Sequence, residues 1–170
     1  MAHNSSAAAP SVGKSILITA AILVIVAILV AIYTLLGIEP LFAGFLFALY
    51  WAAIKGGDFK EFLPSLVGGL GGLGLAAALH HLPLVYGPTG LYIALGGIVL
   101  AIFLQVRNTV PVLINTPFML YLTVGTIPAV GKMEDYPGMA FALLIAAAFA
   151  GSLMWLMGRL NGNSSKTQPA

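Results

Sequence analysis

Cysteine is absent from the 170 residues, and charge is scarce: seven Lys+Arg and five Asp+Glu make up 7% of the chain. The first absence excludes disulfides, thiolate metal ligands and cysteine nucleophiles. The second excludes the polar surface that keeps a domain dissolved in water, since 60% of the residues are hydrophobic and the mean hydropathy is +1.03. A net charge of +2 lacks the clustered basic footprint that nucleic acid requires, so the pI near 9.0 names no such partner. No carboxylate or cation stands near the middle of a long apolar run, so the buried charges that couple transport to protons or sodium are missing. The sequence also holds no Ser/His/acid set, no paired intramembrane carboxylates and no cluster with metal-ligand spacing. Neither an enzyme, a metal site nor a cofactor is expected.

What the chain has is apolar length. A helix crossing about 30 Å of hydrocarbon at about 1.5 Å per residue needs roughly 20 apolar residues. Six stretches qualify, at 15–36, 40–54, 62–82, 87–106, 110–130 and 137–157. The expected fold is therefore an all-α integral membrane protein, a six-helix transmembrane bundle solvated by the lipid bilayer. A signal peptide is the competing reading of the first stretch, but its apolar region would be shorter and no small-x-small cleavage site follows. The polar, proline-bearing ends at 1–14 and 159–170 are expected to be disordered tails.

With six passes, Lys14, Lys55, Lys60, Arg107, Arg159 and Lys166 fall on one side and Lys132 on the other. Cations concentrate on the cytoplasmic side, which predicts cytoplasmic termini. Glu39, Glu134, Asp135 and the pair His80–His81 lie opposite.

Two segments invite comparison. PLFAGFLFALYWAAIKGGDFKEFLPSLVGGLGGLG and TPFMLYLTVGTIPAVGKMEDYPGMAFALLIAAAFAG each combine a short aromatic span, a turn with a lysine and acids, and a span of small residues. Three passes per half would make this a 3+3 inverted repeat; shared membrane composition is the alternative.

The run VGGLGGLGLAAALHHLP is too apolar for a phosphate-binding loop and lacks its lysine. At i, i+4 spacing, Gly68, Gly72, Ala76 and His80 form one ridge, with Gly71, Gly74 and Ala78 beside it. In lipid such small-residue ridges let helix backbones approach closely, within a protomer or between protomers, and homo-oligomers can form through them. The other reading is a narrow lumen for a solute. His80 continues the ridge and reads as either an interfacial histidine or part of an outer vestibule; His80 and His81 point about 100° apart on a helix, which disfavours a shared metal ion.

The fifth stretch carries Pro111, Pro117 and Pro128 among Asn115, Thr116, Thr123 and Thr126. Proline leaves helix carbonyls unpaired, and in hydrocarbon such groups need protein or water. This describes either a kinked helix bonded to its neighbours or a solute path lined by Asn115, Thr116, Thr123 and Thr126. Tyr50 and Trp51 read as interfacial or packing aromatics.

With WAAIKGG closing the second stretch and NTPFMLYLTVGTIP in the fifth, the chain resembles a family of small uncharacterised bacterial inner-membrane proteins of the domain-of-unknown-function type. That resemblance implies a multi-pass inner-membrane location and no assigned substrate. Locally, YGPTGL at 86–91 is similar to a segment opening a helix in acid-gated urea and amide channels, which points to small uncharged solutes. The expected function is a channel or facilitator for a small neutral or weakly polar solute. The alternative is a non-transporting subunit that scaffolds or regulates a membrane protein partner.

Overall fold

The computed structural model describes residues 11–131 and 135–164, and every regular element among them is helical. The described residues fall into two compact units that divide between Gly37 and Ile38. The first contains α1, Val12–Leu36, 25 residues with no charge beyond Lys14. It stops at Gly37, whose φ of +66° lets its N–H turn back to the Thr34 and Tyr33 carbonyls. A side chain is strained in that left-handed conformation, so glycine is the natural stop.

The second unit begins with α2, Leu41–Phe47, which continues as a π-helix over Ala48–Ile54. Then follow α3 (Phe59–Tyr86), α4 (Pro88–Val106), α5 (Thr116–Gly125), the four-residue α6 (Pro128–Gly131) and α7 (Tyr136–Ser164). Helix starts follow local chemistry. The Asp58 carboxylate accepts from the Lys60 N–H at 2.9 Å, Pro88 sits in the first turn of α4, and Asp135 Oδ1 accepts from the Gly138 N–H at 2.8 Å. Helices α1 and α7 extend beyond the apolar stretches into 12–14 and 159–164; of the expected tails, residues 1–10 and 165–170 lie outside the described residues, as do Lys132 and Glu134.

Four helices are long and apolar enough to cross a membrane: α1, α3, α4 and α7 through Arg159. The other two expected spans are shorter. The stretch 40–54 forms two seven-residue pieces, and 110–130 forms a loop, ten-residue α5 and short α6. Ten residues rise only about 15 Å. The prolines explain the shortening: Pro117 lies in the first turn of α5 and Pro128 opens α6, so they start helices rather than kink one long helix.

Contacts fix the directions within the second unit. A Cβ at Gly90 would overlap the Leu82 carbonyl and one at Gly97 would lie 3.1 Å from Leu75, so α4 returns alongside α3. Gly69 faces Leu143, and Gly151 faces Phe62, so α7 also runs antiparallel to α3. Helix α5 instead runs parallel to α3, because Gly68 meets Asn115, Gly72 meets Phe118, and Ala76 meets Gly125. Lys55, Lys60, Arg107 and Arg159 consequently share one end of this unit, and His80 and His81 mark the other.

The glycine ridge is thus the seat of α5. A Cβ at Gly72 would overlap the Phe118 carbonyl oxygen and lie 3.0 Å from the Leu122 nitrogen; Gly71 faces Leu113 and Phe118 at 2.7 and 3.1 Å. Gly74 departs from this pattern, with nothing within 4 Å. Gly74→Ala is expected to leave thermal stability unchanged or raise it by about 0.5–1 kcal/mol, since alanine restricts the unfolded chain without meeting a neighbour. Thermal unfolding followed by circular dichroism in mild detergent measures this; a loss of stability would place Gly74 in a contact.

At the cation end, Phe47, Trp51, Phe59 and Phe62 form an aromatic cluster, with Trp51 4.9 Å from Phe62 and 5.5 Å from Phe59, both edge to face. Trp51 is fully buried and its indole N–H donates to the Asp58 carbonyl at 2.8 Å. This locks the turn between the π-helix and α3, and it makes Trp51 a packing residue.

Candidate functional site

The loop 107–115 stays at the cation end, carrying the chain from the end of α4 to the start of α5 beside α3. There Asn115 caps α5: its Oδ1 accepts from the Phe118 N–H at 3.1 Å. Its amide nitrogen donates to the carbonyls of Pro64 (2.8 Å), Pro111 (3.0 Å) and Val112 (3.1 Å). Two amide hydrogens serve three carbonyls, so the side chain is fully employed. A Cβ on Gly68 would lie 2.7 Å from Asn115 Cγ, which is why this clamp requires glycine on the facing helix. Asn115 therefore joins α5, the preceding loop and α3 at one point.

Around this clamp opens a cleft of about 290 Å³ lined by Tyr50, Lys55, Glu61, Ser65, Thr116 and the Pro111–Val112 segment, among others. Lys55 Nζ lies 3.3 Å from Glu61 Oε2 and 5.7 Å from the centre of the Tyr50 ring. The hydrogen bond that Lys55 donates to the Glu61 carboxylate, with the neighbouring Tyr50 and the Glu61 charge adding to it, raises the Lys55 pKa above the ordinary lysine range. Its ammonium is therefore charged at neutral pH. One π-type bond shapes this wall, the Lys55 N–H donating to the Tyr50 carbonyl five residues back at 3.0 Å, and the Gly57 N–H closes the turn by donating to the Trp51 carbonyl six residues back at 2.9 Å. π-Helical turns recur at functional sites.

Ser65 stands out on the same wall. It is 1% exposed, and its Oγ has no hydrogen-bond partner. A serine in a helix usually donates back to the carbonyl four residues earlier. A buried hydroxyl left unpaired costs about 1–3 kcal/mol.

Of the residues selected from sequence as a solute path, Asn115 and Thr116 come together in this cleft. Thr123 and Thr126 do not join them; both are exposed further along α5, with hydroxyls donating to the Met119 carbonyl at 2.7 Å and the Thr123 carbonyl at 2.9 Å. His80 lies fifteen residues beyond Ser65, about 22 Å along α3. It is grouped with His81 and Tyr136, the ring centres lying 5.1 to 5.9 Å apart. Tyr136 in turn donates from its hydroxyl to the Gly125 carbonyl at 3.2 Å, tying α7 to the end of α5. Among the described residues no three His, Asp or Glu side chains gather as a metal site.

Tyr50, Lys55, Glu61 and Ser65 were not selected from sequence. One signal was available: Ser65 follows Pro64 one turn above Glu61, a polar position inside an otherwise apolar run. Compared with family models, curated proteins and solved structures, the chain matches none of them.

Proposed function

We propose that this membrane-embedded chain is a channel or facilitator for a small neutral or weakly polar solute, acting in a bacterial inner membrane with both termini in the cytoplasm. The observation that carries this reading is the polar cleft at the cation end, where Ser65, Thr116, Tyr50, Lys55 and Glu61 line one opening beside a half-length helix. Irregular backbone at membrane depth is tolerated where it lines protein or water, and Asn115 supplies that protein environment here. The likeness of YGPTGL to urea and amide channels agrees with an uncharged solute.

Six passes in this reading comprise the four long helices and two short ones, α2 with its π-turn and α5. An inverted repeat is supported by a constant spacing of 77 residues: it separates Pro40 from Pro117, Lys55 from Lys132, the capping acids Asp58 and Asp135, and the helix starts Phe59 and Tyr136. The packing is consistent with it, since α5 seats on α3 and α2 on α7, each short helix against the other half's long one. The grouping of Lys55, Lys60, Arg107 and Arg159 at one end agrees with a cytoplasmic assignment for that end.

Reconstitution into liposomes tests the function. Flux of urea, acetamide, ammonia and glycerol, followed by stopped-flow light scattering or a pH dye, should exceed protein-free vesicles several-fold for at least one solute. Background rates for all four would remove the channel reading for this class. A second reading, a non-transporting subunit assembling with itself or a membrane protein partner, draws on α5: the exposed Thr123 and Thr126 hydroxyls are bonded within the helix, so that face can meet another helix without unmet polar groups.

A further inference from the structure

We infer that the cleft is a binding site for a small uncharged molecule carrying both hydrogen-bond donors and acceptors, of the amide or polyol class, with Ser65 Oγ as one of its partners. The inference deepens the facilitator reading and relies on it for the solute's route, not for the binding itself.

Three observations converge. The first is the unpartnered Ser65 hydroxyl, buried on the wall of the cleft. Buried polar groups are nearly always paired, and this hydroxyl, closed off as it stands, would reach a molecule in the cleft by rotating about its Cα–Cβ bond.

The second is an internal control. At the 77-residue spacing Ser65 corresponds to Ala142, Glu61 to Gly138 and Pro64 to Phe141. Ala142 is as buried as Ser65, so the equivalent place in the fold is filled by a methyl group. On the proposed repeat, packing at that place is met without a hydroxyl, and the polar lining belongs to one half of the chain alone.

The third is charge. Lys55 and Glu61 neutralise each other at 3.3 Å, leaving a lining without net charge. A charged ligand would meet a like charge beside each opposite one, so the pair offers it little net attraction. An uncharged molecule can accept from Lys55 or a hydroxyl and donate to Glu61 while leaving the pair joined. Thr116 adds a second hydroxyl, whereas Asn115 adds nothing further because its amide is already committed. A volume of about 290 Å³ leaves room for a solute of a few heavy atoms.

Acetamide and acetate have nearly the same shape and differ in charge, which makes them the probes. Saturation-transfer NMR on the full chain in nanodiscs should give an acetamide signal at least several-fold above that of acetate. Ser65→Ala should reduce the acetamide signal several-fold without lowering the unfolding temperature. Glu61→Gln, which leaves the Lys55 cation unpaired, should reverse the preference toward acetate. Equal signals for the two probes, or Ser65→Ala and Glu61→Gln both indistinguishable from the parent chain, would overturn the site. Liposome flux of acetamide, measured on the same variants, separates the two conclusions. Binding lost in Ser65→Ala, with no flux in the parent, keeps the site and removes the facilitator. Flux present and untouched by either variant keeps the facilitator and removes the site.

Discussion

Gly72→Ala is expected to destabilise the protein by about 3 kcal/mol, the upper end of overpacking costs, and to release α5 from α3. The added methyl would overlap the Phe118 carbonyl oxygen and lie 2.9 Å from its carbon. These are backbone atoms, so no rotamer change relieves the clash. Carbon–oxygen contacts settle at about 3.3–3.6 Å, and the two helices would have to part to reach that distance. In lipid, separated helices gain no compensating hydrophobic force, because tight packing itself holds them together. Thermal unfolding in mild detergent, read by the intrinsic fluorescence of Trp51 and Trp155, should show the loss against Gly74→Ala as its partner. Equal stability of the two variants would mean that α5 does not sit on this ridge.

The second large effect is at Asn115. Asn115→Leu removes an N-cap, worth about 0.5–2 kcal/mol, and takes the donor from three carbonyls at once. Each carbonyl left buried without a partner adds about 1–3 kcal/mol, moderated here because the Pro111 and Val112 groups are near the surface. A total loss of about 2–4 kcal/mol is expected. Asn115→Asp separates the two contributions. An aspartate retains the acceptor for the Phe118 N–H but has no N–H to donate, so it should keep the cap and lose the clamp. Unfolding temperatures should therefore rank the parent chain above Asn115→Asp, with Asn115→Leu well below the parent. If Asn115→Asp were as stable as the parent, the bonds to Pro64, Pro111 and Val112 would contribute nothing.

These expectations show why the polar residues of the fifth apolar stretch have unequal roles. Asn115, Thr116, Thr123 and Thr126 share a segment and a residue class, which groups them on paper. Their hydrogen bonds divide them: Asn115 closes a structural junction, Thr116 lines a cleft, and Thr123 and Thr126 bond within their own helix. No periodicity contains that distinction, because it depends on which carbonyls another helix places within about 3 Å.

Composition by itself determined the helical, lipid-solvated class, since so apolar a chain has too few charges for a water-facing surface. The spacing of Gly68, Gly72 and Ala76 also determined that a helix backbone could approach that face of α3, because small residues leave nothing in its way. Tertiary structure alone decided which helix approaches, that the approaching helix is only ten residues long, and that Gly74 is left out. It also decided that Tyr50, Lys55, Glu61, Ser65 and Thr116 meet around one cleft. The reason is physical. Apolarity and ridge spacing are properties of a single helix and can be read along the chain, whereas a cleft exists only where separate segments leave a gap between them.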